Sequence, residues 1–477
     1  ELPQAGRESF LLLLGNVTLE DGGAQRYLIP LEPSWGEDML RHDSPLLPYV
    51  IAKIRRGSKS GIVFDAAHGD TFPRALLDAM RTHATLPAIG GSFRFGATEK
   101  LRKLDMLEPV EVRRVATGEH AHTVRTLGDE VVLKLARRLR SGIDPGIEMG
   151  HFLSRSGFAN SPALLGTLEH INEAGTPTAL AVAFEYVRNQ GDGWSVVVDA
   201  LDRELEDETL SGNGEDRGLP YSLTLIETIG RRTGELHRVL ANAGPEEAAF
   251  APEPVTDQDL DNWLKRTITR ANEAFESLET LPDTTESETL QLAEKLLTLR
   301  DAMVRRIETL VPAIARGNKL RLHNDYHLAK ILVSANDVYI IDFEGEPDRP
   351  VEERRQKAPA SRDIATMLRS FDYAARTAVD RQRQRGATQL EEIEARGMEW
   401  RSLAERRFLR SYGMARDDST GGSHLAGGEL LPLFLADKLF EEILYEGANR
   451  PIFLATPLRA ALELVAPLDT TIDGDGA

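Results

Sequence analysis

Residues 321–347, RLHNDYHLAKILVSANDVYIIDFEGEP, carry the pattern that decides the fold. A polar segment containing Asp325 is followed by the apolar run 338–341, which predicts a buried strand, and Asp342 stands directly after it. The two aspartates are 17 positions apart, and the short connection between them predicts a hairpin that brings both carboxylates to one cleft. Two carboxylates in one cleft are a candidate catalytic and metal-binding pair.

A lysine and a glutamate upstream complete this pattern. Lys134 lies in the middle of the predicted strand VVLKL, where an anionic partner best explains a cation, and Glu148 follows 14 positions later on a predicted helix. Each residue alone has a plainer explanation, because a strand lysine is often an edge residue with its ammonium in water and Asp342 could cap a turn. The order and spacing of the four residues together favour a functional site.

These groups are the ones that phosphoryl transfer from ATP requires, since that reaction depends on positioning and on neutralising phosphate charge. We assign Asp325 as the base for the attacking hydroxyl, Asp342 as the ligand of Mg²⁺, and Lys134 as the cation on the phosphates. Glu148 is expected to face Lys134 and to hold it. The sequence therefore predicts ATP and Mg²⁺ as cofactors.

Two histidines allow a different interpretation. His323 and His327 have the i, i+4 spacing of zinc ligands on a helix. A zinc site needs a third ligand, however, and the intervening Asn324 and Asp325 indicate a loop. We therefore favour phosphoryl transfer over a zinc site.

The composition limits the classes of function. The chain has 477 residues, of which 28% are charged and 41% hydrophobic, and it lacks an apolar run of the roughly 20 residues that span a bilayer. The formal charge of −19 disfavours general binding to nucleic acid. Absence of cysteine fits a reducing compartment, and the opening ELPQAGRESF lacks the features of a signal peptide. We expect a cytoplasmic protein that binds neither nucleic acid nor membrane.

The order of predicted elements indicates an α+β protein with three regions. Residues 1–90 contain short strands and a helix and form a predicted N-terminal cap domain. Residues 91–190 have the order strand, strand, helix, strand, strand, which is that of a kinase N-lobe. Residues 191–477 are mostly helical and form the predicted C-lobe, which contains the catalytic and metal loops.

Local signals define some elements more closely. Apolar residues at helical spacing predict a helix at 71–86, packed on the preceding strands, and Asp144 followed by Pro145 predicts the start of a second helix. The Gly- and Ser-rich segment 417–429 is expected to be a flexible loop, and residues 469–477 a disordered tail.

Beyond these patterns, residues 10–465 resemble bacterial maltokinases, in particular the maltokinase-like region fused to trehalose synthase. The motifs that carry the resemblance are LKLARRL, PALLG, GRRTGELH, YEGANRP and IIDFEGEPDRPVEERRQKAPASRDIATMLRSFDYAA. The resemblance implies a bilobal, protein-kinase-like fold of the aminoglycoside phosphotransferase type with an N-terminal cap. It also implies ATP-dependent phosphorylation of maltose at its anomeric hydroxyl, giving maltose 1-phosphate, and a trehalose synthase domain as a fused or associated partner.

The resemblance also implies roles for residues that spacing alone does not single out. Backbone groups from Glu185 to Val187 would hold adenine. The residues expected near the sugar are His327, Tyr445, Glu446, Asn449 and Arg450.

Several positions depart from the family pattern at the expected site. Lys330 stands where the family has a glutamine that binds magnesium, and an ammonium group cannot coordinate a cation. Ala121 and Val124 lack the hydroxyls of the family's phosphate hairpin, and Glu441 replaces a common tyrosine. A catalytically impaired pseudokinase, acting as a structural or regulatory module of a trehalose synthase, is therefore the alternative to an active sugar kinase.

Overall fold

A computed structural model describes residues 2, 10–20, 22–36, 46–105, 110–115, 122–211, 220–282, 284–416 and 428–465. The chain forms two compact units. The first contains Glu1–Asn189 and Tyr339–Arg355, and the second contains Gln190–Val338 and Gln356–Ala477. The segment that begins at the predicted metal loop therefore belongs to the first unit, although the predicted base lies in the second.

The strands are numbered in chain order. They are β1 (Leu11–Thr18), β2 (Ala24–Trp35), β3 (Val50–Arg56), β4 (Lys59–Asp65), β5 (Thr85–Ala88), β6 (Gly91–Ala97), β7 (Val112–Arg114), β8 (His122–Leu127), β9 (Val131–Ala136), β10 (Arg138–Leu139), β11 (Leu164–Asn172), β12 (Pro177–Glu185), β13 (Glu253–Pro254), β14 (Asn318–Lys319), β15 (Ile331–Ser334) and β16 (Asp337–Ile340).

The helices follow the same numbering. They are α1 (Thr71–Arg81), α2 (Glu99–Lys103), α3 (Pro145–Arg155), α4 (Gly193–Ser211), α5 (Tyr221–Ala241), α6 (Asp257–Glu279), α7 (Ser287–Thr298), α8 (Arg300–Glu308), α9 (Val351–Arg354), α10 (Ser361–Gln384), α11 (Leu390–Arg416), α12 (Leu431–Asn449) and α13 (Ala455–Val465). Among the described residues, no helix is long and apolar enough to cross a membrane.

The first unit contains two antiparallel sheets. One has the strand order β1-β2-β4-β3, with β10 also paired to β2, and the other has the order β5-β6-β11-β12-β9-β8-β7. Short turns join β8 to β9 and β11 to β12, which explains why neighbours in sequence pair with each other. The sequence analysis places the boundary of the cap domain at residue 90. In the structure, β5 before this position is hydrogen-bonded to β6 after it.

Two helices of the first unit begin and pack for identifiable reasons. The side chain of Asp144 accepts a hydrogen bond from the Ile147 amide at 3.0 Å, so the predicted cap of α3 is confirmed. Phe72, Leu76 and Met80 on α1 are fully buried, and α1 packs on β6 and β11 of the second sheet. The sequence analysis expected this helix to pack on the strands that precede it. Instead, the apolar face of α1 covers a core to which both sheets contribute residues.

The second unit is built mainly from packed helices. α6, α7, α8, α12 and α13 share one apolar core, and α5 packs along α11. Close approach of the last pair requires glycine. A Cβ on Gly230 would lie 2.5 Å from the Phe408 carbonyl oxygen, and one on Gly234 would lie 2.5 Å from the Tyr412 carbonyl oxygen. The sheets of the first unit and the helices of the second confirm the predicted α+β class. Residues 417–427 of the predicted flexible loop, and the predicted tail, lie outside the described residues.

Candidate active site

The predicted base lies on a loop whose backbone is fixed by a buried aspartate. Asp363 on α10 accepts hydrogen bonds from the His323 amide at 2.9 Å and from the Asn324 amide at 3.0 Å. Asn324 has a positive φ of 61°, a left-handed conformation that asparagine tolerates better than most side chains. The loop that presents Asp325 is therefore a tight turn whose amides Asp363 holds in place.

Basic side chains lie beside the carboxylate of Asp325. The Lys330 Nζ lies 3.5 Å from Oδ2, and the His327 Nε2 lies 3.5 Å from Oδ1. Burial opposes ionisation of Asp325, but the hydrogen bond from His327 and the electrostatic interactions with His327, Lys330 and Lys438 outweigh it, so the pKa of Asp325 is lowered. The carboxylate is consequently charged at neutral pH. Lys330 itself is buried, with 4% of its surface exposed.

Asp363 and His237 are functional candidates that sequence reasoning missed. His237 on α5 places Nε2 3.3 Å from the Asp363 carboxylate and Nδ1 3.1 Å from the Tyr412 hydroxyl. Burial lowers the pKa of His237 more than Asp363 raises it, so the ring is neutral. Both residues stand in motifs quoted above, GRRTGELH and SRDIATML, and a polar residue at an apolar position of a helix was the available sign.

The predicted metal loop and the predicted phosphate lysine contact each other in the first unit. Lys134 on β9 forms ion pairs with Asp342 and with Glu344, the second at 2.9 Å. Burial works against the ammonium, but the two carboxylates raise the pKa of Lys134. Asp342 has a positive φ of 65°, a left-handed conformation that aspartate tolerates better than most side chains. Lys134 and Glu344 line a pocket together with Asp144, Gly146 and Phe184, among other residues.

Glu148 has a different partner from the expected one. Arg355 donates to both its carboxylate oxygens, from Nε at 3.0 Å and from Nη2 at 2.6 Å, which is the bidentate geometry that arginine favours. Lys134 thus binds the predicted metal loop, whereas Glu148 binds Arg355, the last residue of the first unit. The pairing of Lys134 with Glu148 stays a prediction.

The predicted adenine and phosphate positions lie at strand ends of the first unit. Glu185 ends β12 and binds Lys100 at 2.7 Å, and the Val187 carbonyl accepts a hydrogen bond from Asn189 at 2.8 Å. Val124 on β8 is the cross-strand neighbour of Lys134, so the position that lacks a hydroxyl lies beside the predicted phosphate lysine. Ala121 lies outside the described residues.

Four of the predicted sugar residues, Tyr445, Glu446, Asn449 and Arg450, lie at the end of α12, whereas His327 lies beside Asp325. Glu446 is buried and binds Arg450 at 2.6 Å and the Tyr373 hydroxyl at 3.2 Å, and burial raises the pKa of its carboxyl. Tyr445 is half exposed, and the Asn449 amide donates to its carbonyl at 3.0 Å. The Arg450 guanidinium lies over the Tyr445 ring, 5.1 Å from its centroid. An aromatic ring with charged neighbours is a surface suited to a sugar.

The residues present fit a magnesium ion that arrives with a nucleotide. Among the described residues, no group of three or more His, Asp or Glu side chains could hold a metal alone. Mg²⁺ is commonly held by one or two carboxylates plus substrate phosphates, and Asp342 with Glu344 supplies two adjacent carboxylates. Lys330 supplies no ligand.

A sheet-rich unit that carries Lys134 beside Asp342, and a helical unit that carries Asp325, correspond to the arrangement predicted for a kinase-like phosphotransferase. The phosphotransferase enzyme family (APH) matches residues 111–403, more than half of the chain, so the chain belongs to this family. The predicted protein-kinase-like α+β fold is thereby confirmed.

Individual relatives are glucosamine kinases. The enzyme of Streptacidiphilus jiangxiensis is 27% identical over 310 residues, a match that covers 64% of this chain and 62% of that enzyme. The enzyme of Mycolicibacterium smegmatis is 23% identical over 312 residues, covering 65% of this chain and 69% of that enzyme. The match thus spans less than two thirds of the first relative.

Solved structures extend the likeness in fold to nearly the whole chain. A glucosamine kinase in complex with glucosamine, ADP and inorganic phosphate has a TM-score of 0.65 at 22% identity, covering 97% of this chain and 96% of that chain. A second crystal form of glucosamine kinase has a TM-score of 0.66 at 22% identity. The likeness shows that the fold of both units is shared with a sugar kinase.

Proposed function

We propose that this protein is an ATP-dependent kinase that phosphorylates a hydroxyl group of a sugar. The observation that carries the proposal is the environment of Asp325. Its neighbours lower the pKa of its carboxyl despite burial, and Asp363 fixes the backbone amides of His323 and Asn324. A fixed, charged carboxylate is the group that must orient an attacking hydroxyl in phosphoryl transfer.

In this mechanism Asp325 accepts a hydrogen bond from the acceptor hydroxyl and aims its oxygen at the terminal phosphoryl group. Because the lowered pKa makes Asp325 a weak base, it takes the proton late, when the bond to phosphorus has begun to form. The ammonium of Lys330 favours the charged carboxylate until then. The main contribution of Asp325 is therefore positioning.

The first unit would supply the nucleotide side of the reaction. We propose that Lys134 donates to the phosphates, that Glu148 steadies it in the nucleotide complex, and that backbone groups at Glu185 and Val187 hold adenine. Mg²⁺, held by Asp342 with Glu344 beside it, would neutralise the phosphate charge.

Two acceptors follow from different observations. The curated relatives are glucosamine kinases, and Glu442 and Glu446 on α12 are acidic side chains of the kind that pair with the ammonium group of an amino sugar. We therefore propose glucosamine as the preferred acceptor. Maltose, phosphorylated at its anomeric hydroxyl, is the acceptor that the maltokinase resemblance implies, with Tyr445, Asn449 and Arg450 near the sugar.

The pseudokinase alternative is favoured by Lys330. A buried ammonium at the expected ligand position removes one magnesium ligand and repels the ion. In that case the protein would bind a nucleotide or sugar and act as a module of a trehalose synthase.

An ATP-consumption assay with glucosamine, maltose and glucose at several Mg²⁺ concentrations separates these possibilities, with Asp325→Asn as the inactive control. Turnover that requires glucosamine supports the proposal, and turnover that requires maltose reassigns the acceptor. Nucleotide binding without turnover on any sugar supports the pseudokinase. Co-purification with a trehalose synthase tests the proposed partner.

A further inference from the structure

The ammonium of Lys134 lies between the carboxylates that are best suited to hold a metal ion. It binds both Asp342 and Glu344, which are two positions apart on the loop after β16. With less than a quarter of each of the three side chains exposed, little water screens their charges. A divalent cation that approaches these oxygens must displace the lysine or share the site with it.

The other charged groups around this contact do not draw the lysine away. Asp144 lies close enough to Glu344 that burial and the Glu344 charge raise the pKa of Asp144. Arg354 donates to the Glu344 carbonyl at 3.1 Å, and His122 lines the same pocket. Lys134 is thus the cation that pairs directly with both metal-loop carboxylates.

Glu148, the expected alternative partner of Lys134, is engaged elsewhere. Both its oxygens accept hydrogen bonds from Arg355, and a bidentate pair of this kind costs free energy to break. Without a nucleotide, Lys134 therefore remains on the metal loop. Phosphate oxygens are strong acceptors for an ammonium group and would offer the lysine a competing partner.

We propose that Lys134 acts as a latch on the metal site: in the ligand-free protein it occupies the carboxylates of Asp342 and Glu344, and a divalent cation binds tightly only once nucleotide phosphates attract the lysine. The role of the nucleotide rests on the proposed function, but the latch itself is a property of the ligand-free protein. Metal binding and nucleotide binding are consequently coupled through one side chain.

The test uses Mn²⁺ alone, with binding measured by electron paramagnetic resonance without nucleotide. Lys134→Gln, which removes the charge, is expected to bind Mn²⁺ about tenfold or more tightly than the unaltered protein. Lys134→Arg keeps the charge and is expected to stay within about threefold of the unaltered protein. Lys100→Gln is the matched control, because Lys100 binds Glu185 at 2.7 Å and is half exposed.

Equal Mn²⁺ affinity of Lys134→Gln and the unaltered protein would overturn the latch. Binding of Mn²⁺ by Lys134→Arg as tight as that by Lys134→Gln would also overturn it. Thermal unfolding checks that each variant is folded, and Lys134→Met provides a second uncharged side chain if Lys134→Gln is not. Adding Asp342→Asn to the uncharged variant is expected to abolish the gain. Tighter Mn²⁺ binding by Lys134→Gln together with no phosphorylation of any sugar would refute only the proposed function. Sugar phosphorylation together with unchanged Mn²⁺ binding by Lys134→Gln would refute only this inference.

Discussion

Replacing Lys330 with glutamine tests whether this lysine stabilises the charged carboxylate of Asp325 or only stands where the family has a magnesium-binding glutamine. The Lys330 Nζ lies 3.5 Å from an oxygen of Asp325, and the lysine is 4% exposed. Lys330→Gln removes a positive charge from beside a buried carboxylate while keeping a side chain of similar length. We expect the second unit to become less stable.

The size of the effect follows from the geometry. Two unit charges at this separation attract by about 5 kcal/mol at an effective dielectric constant of roughly 20, and losing one partner of a buried pair costs about 3–5 kcal/mol. The glutamine amide can still donate to Asp325 and regain about 1 kcal/mol, leaving about 2–4 kcal/mol. For a unit of this size, 1 kcal/mol corresponds to roughly 2 °C in Tm, so we expect a decrease of about 4–8 °C.

Differential scanning calorimetry at pH 7 measures this shift, with Lys438→Gln as the control. Lys438 contributes less than Lys330 to lowering the pKa of Asp325, its own bond is to Glu441 at 2.9 Å, and 22% of its side chain is exposed, so we expect a smaller decrease in Tm. The folded-state pKa of Asp325 is below its unfolded value of about 3.9, so its contribution is fully present above that pH. The contribution is lost only as pH falls through the folded-state pKa.

The difference between Lys330→Gln and the unaltered protein should therefore be the same at pH 7 and pH 5. A Tm within about 1 °C of the unaltered protein would refute the calculation, since the buried pair would then contribute little. A difference that vanishes between pH 7 and pH 5 would refute the assignment to Asp325.

Other expected outcomes concern the base loop. Asp325→Asn should lower kcat by about 10²–10⁴ with little change in nucleotide affinity, which steady-state kinetics and calorimetric titration measure separately. Asp363→Ala leaves the amides of His323 and Asn324 without their acceptor, and the resulting displacement of the loop should lower kcat about a hundredfold; unchanged kinetics would contradict the anchoring role. His237 has a folded-state pKa below its unfolded value of about 6.5, so stability should fall as pH drops below 6.5, and urea unfolding of His237→Gln should show a flatter dependence between pH 7 and 5.

The sequence predicted the start of α3 and the apolar face of α1 because their causes are local, but the predicted helix at 71–86 is too long, since α1 ends at Arg81 and Thr85–Ala88 form β5. The Asp144 cap and the helical spacing of Phe72, Leu76 and Met80 depend on residues within a few positions of each other. The partners of Lys134 could not be chosen in the same way. Glu148 and Glu344 are both carboxylates, and only the tertiary structure brings Glu344 to 2.9 Å from the lysine and Arg355 to Glu148.

The same limit applies to the base loop. The residue type and position of Asp325 were visible in the sequence, and His327 and Lys330, which lower its pKa more than Lys438 does, are its near neighbours in the chain. The backbone of the loop, however, depends on Asp363 on α10, which is not near residue 325 in the chain. A buried acidic residue in an otherwise apolar helical stretch is the sign that future sequence analysis of such chains can use.

The glycines of α5 allow the close contact with α11 on which the position of the base loop depends. A methyl group at Gly230 or Gly234 would force α11 outward, because each would meet a backbone oxygen of α11 at 2.5 Å. Tyr412 on α11 and His237 on α5 are hydrogen-bonded at 3.1 Å, and His237 in turn contacts the aspartate that fixes the base loop. A mutational scan should therefore find these two glycines as intolerant as active-site residues, although neither carries a functional group.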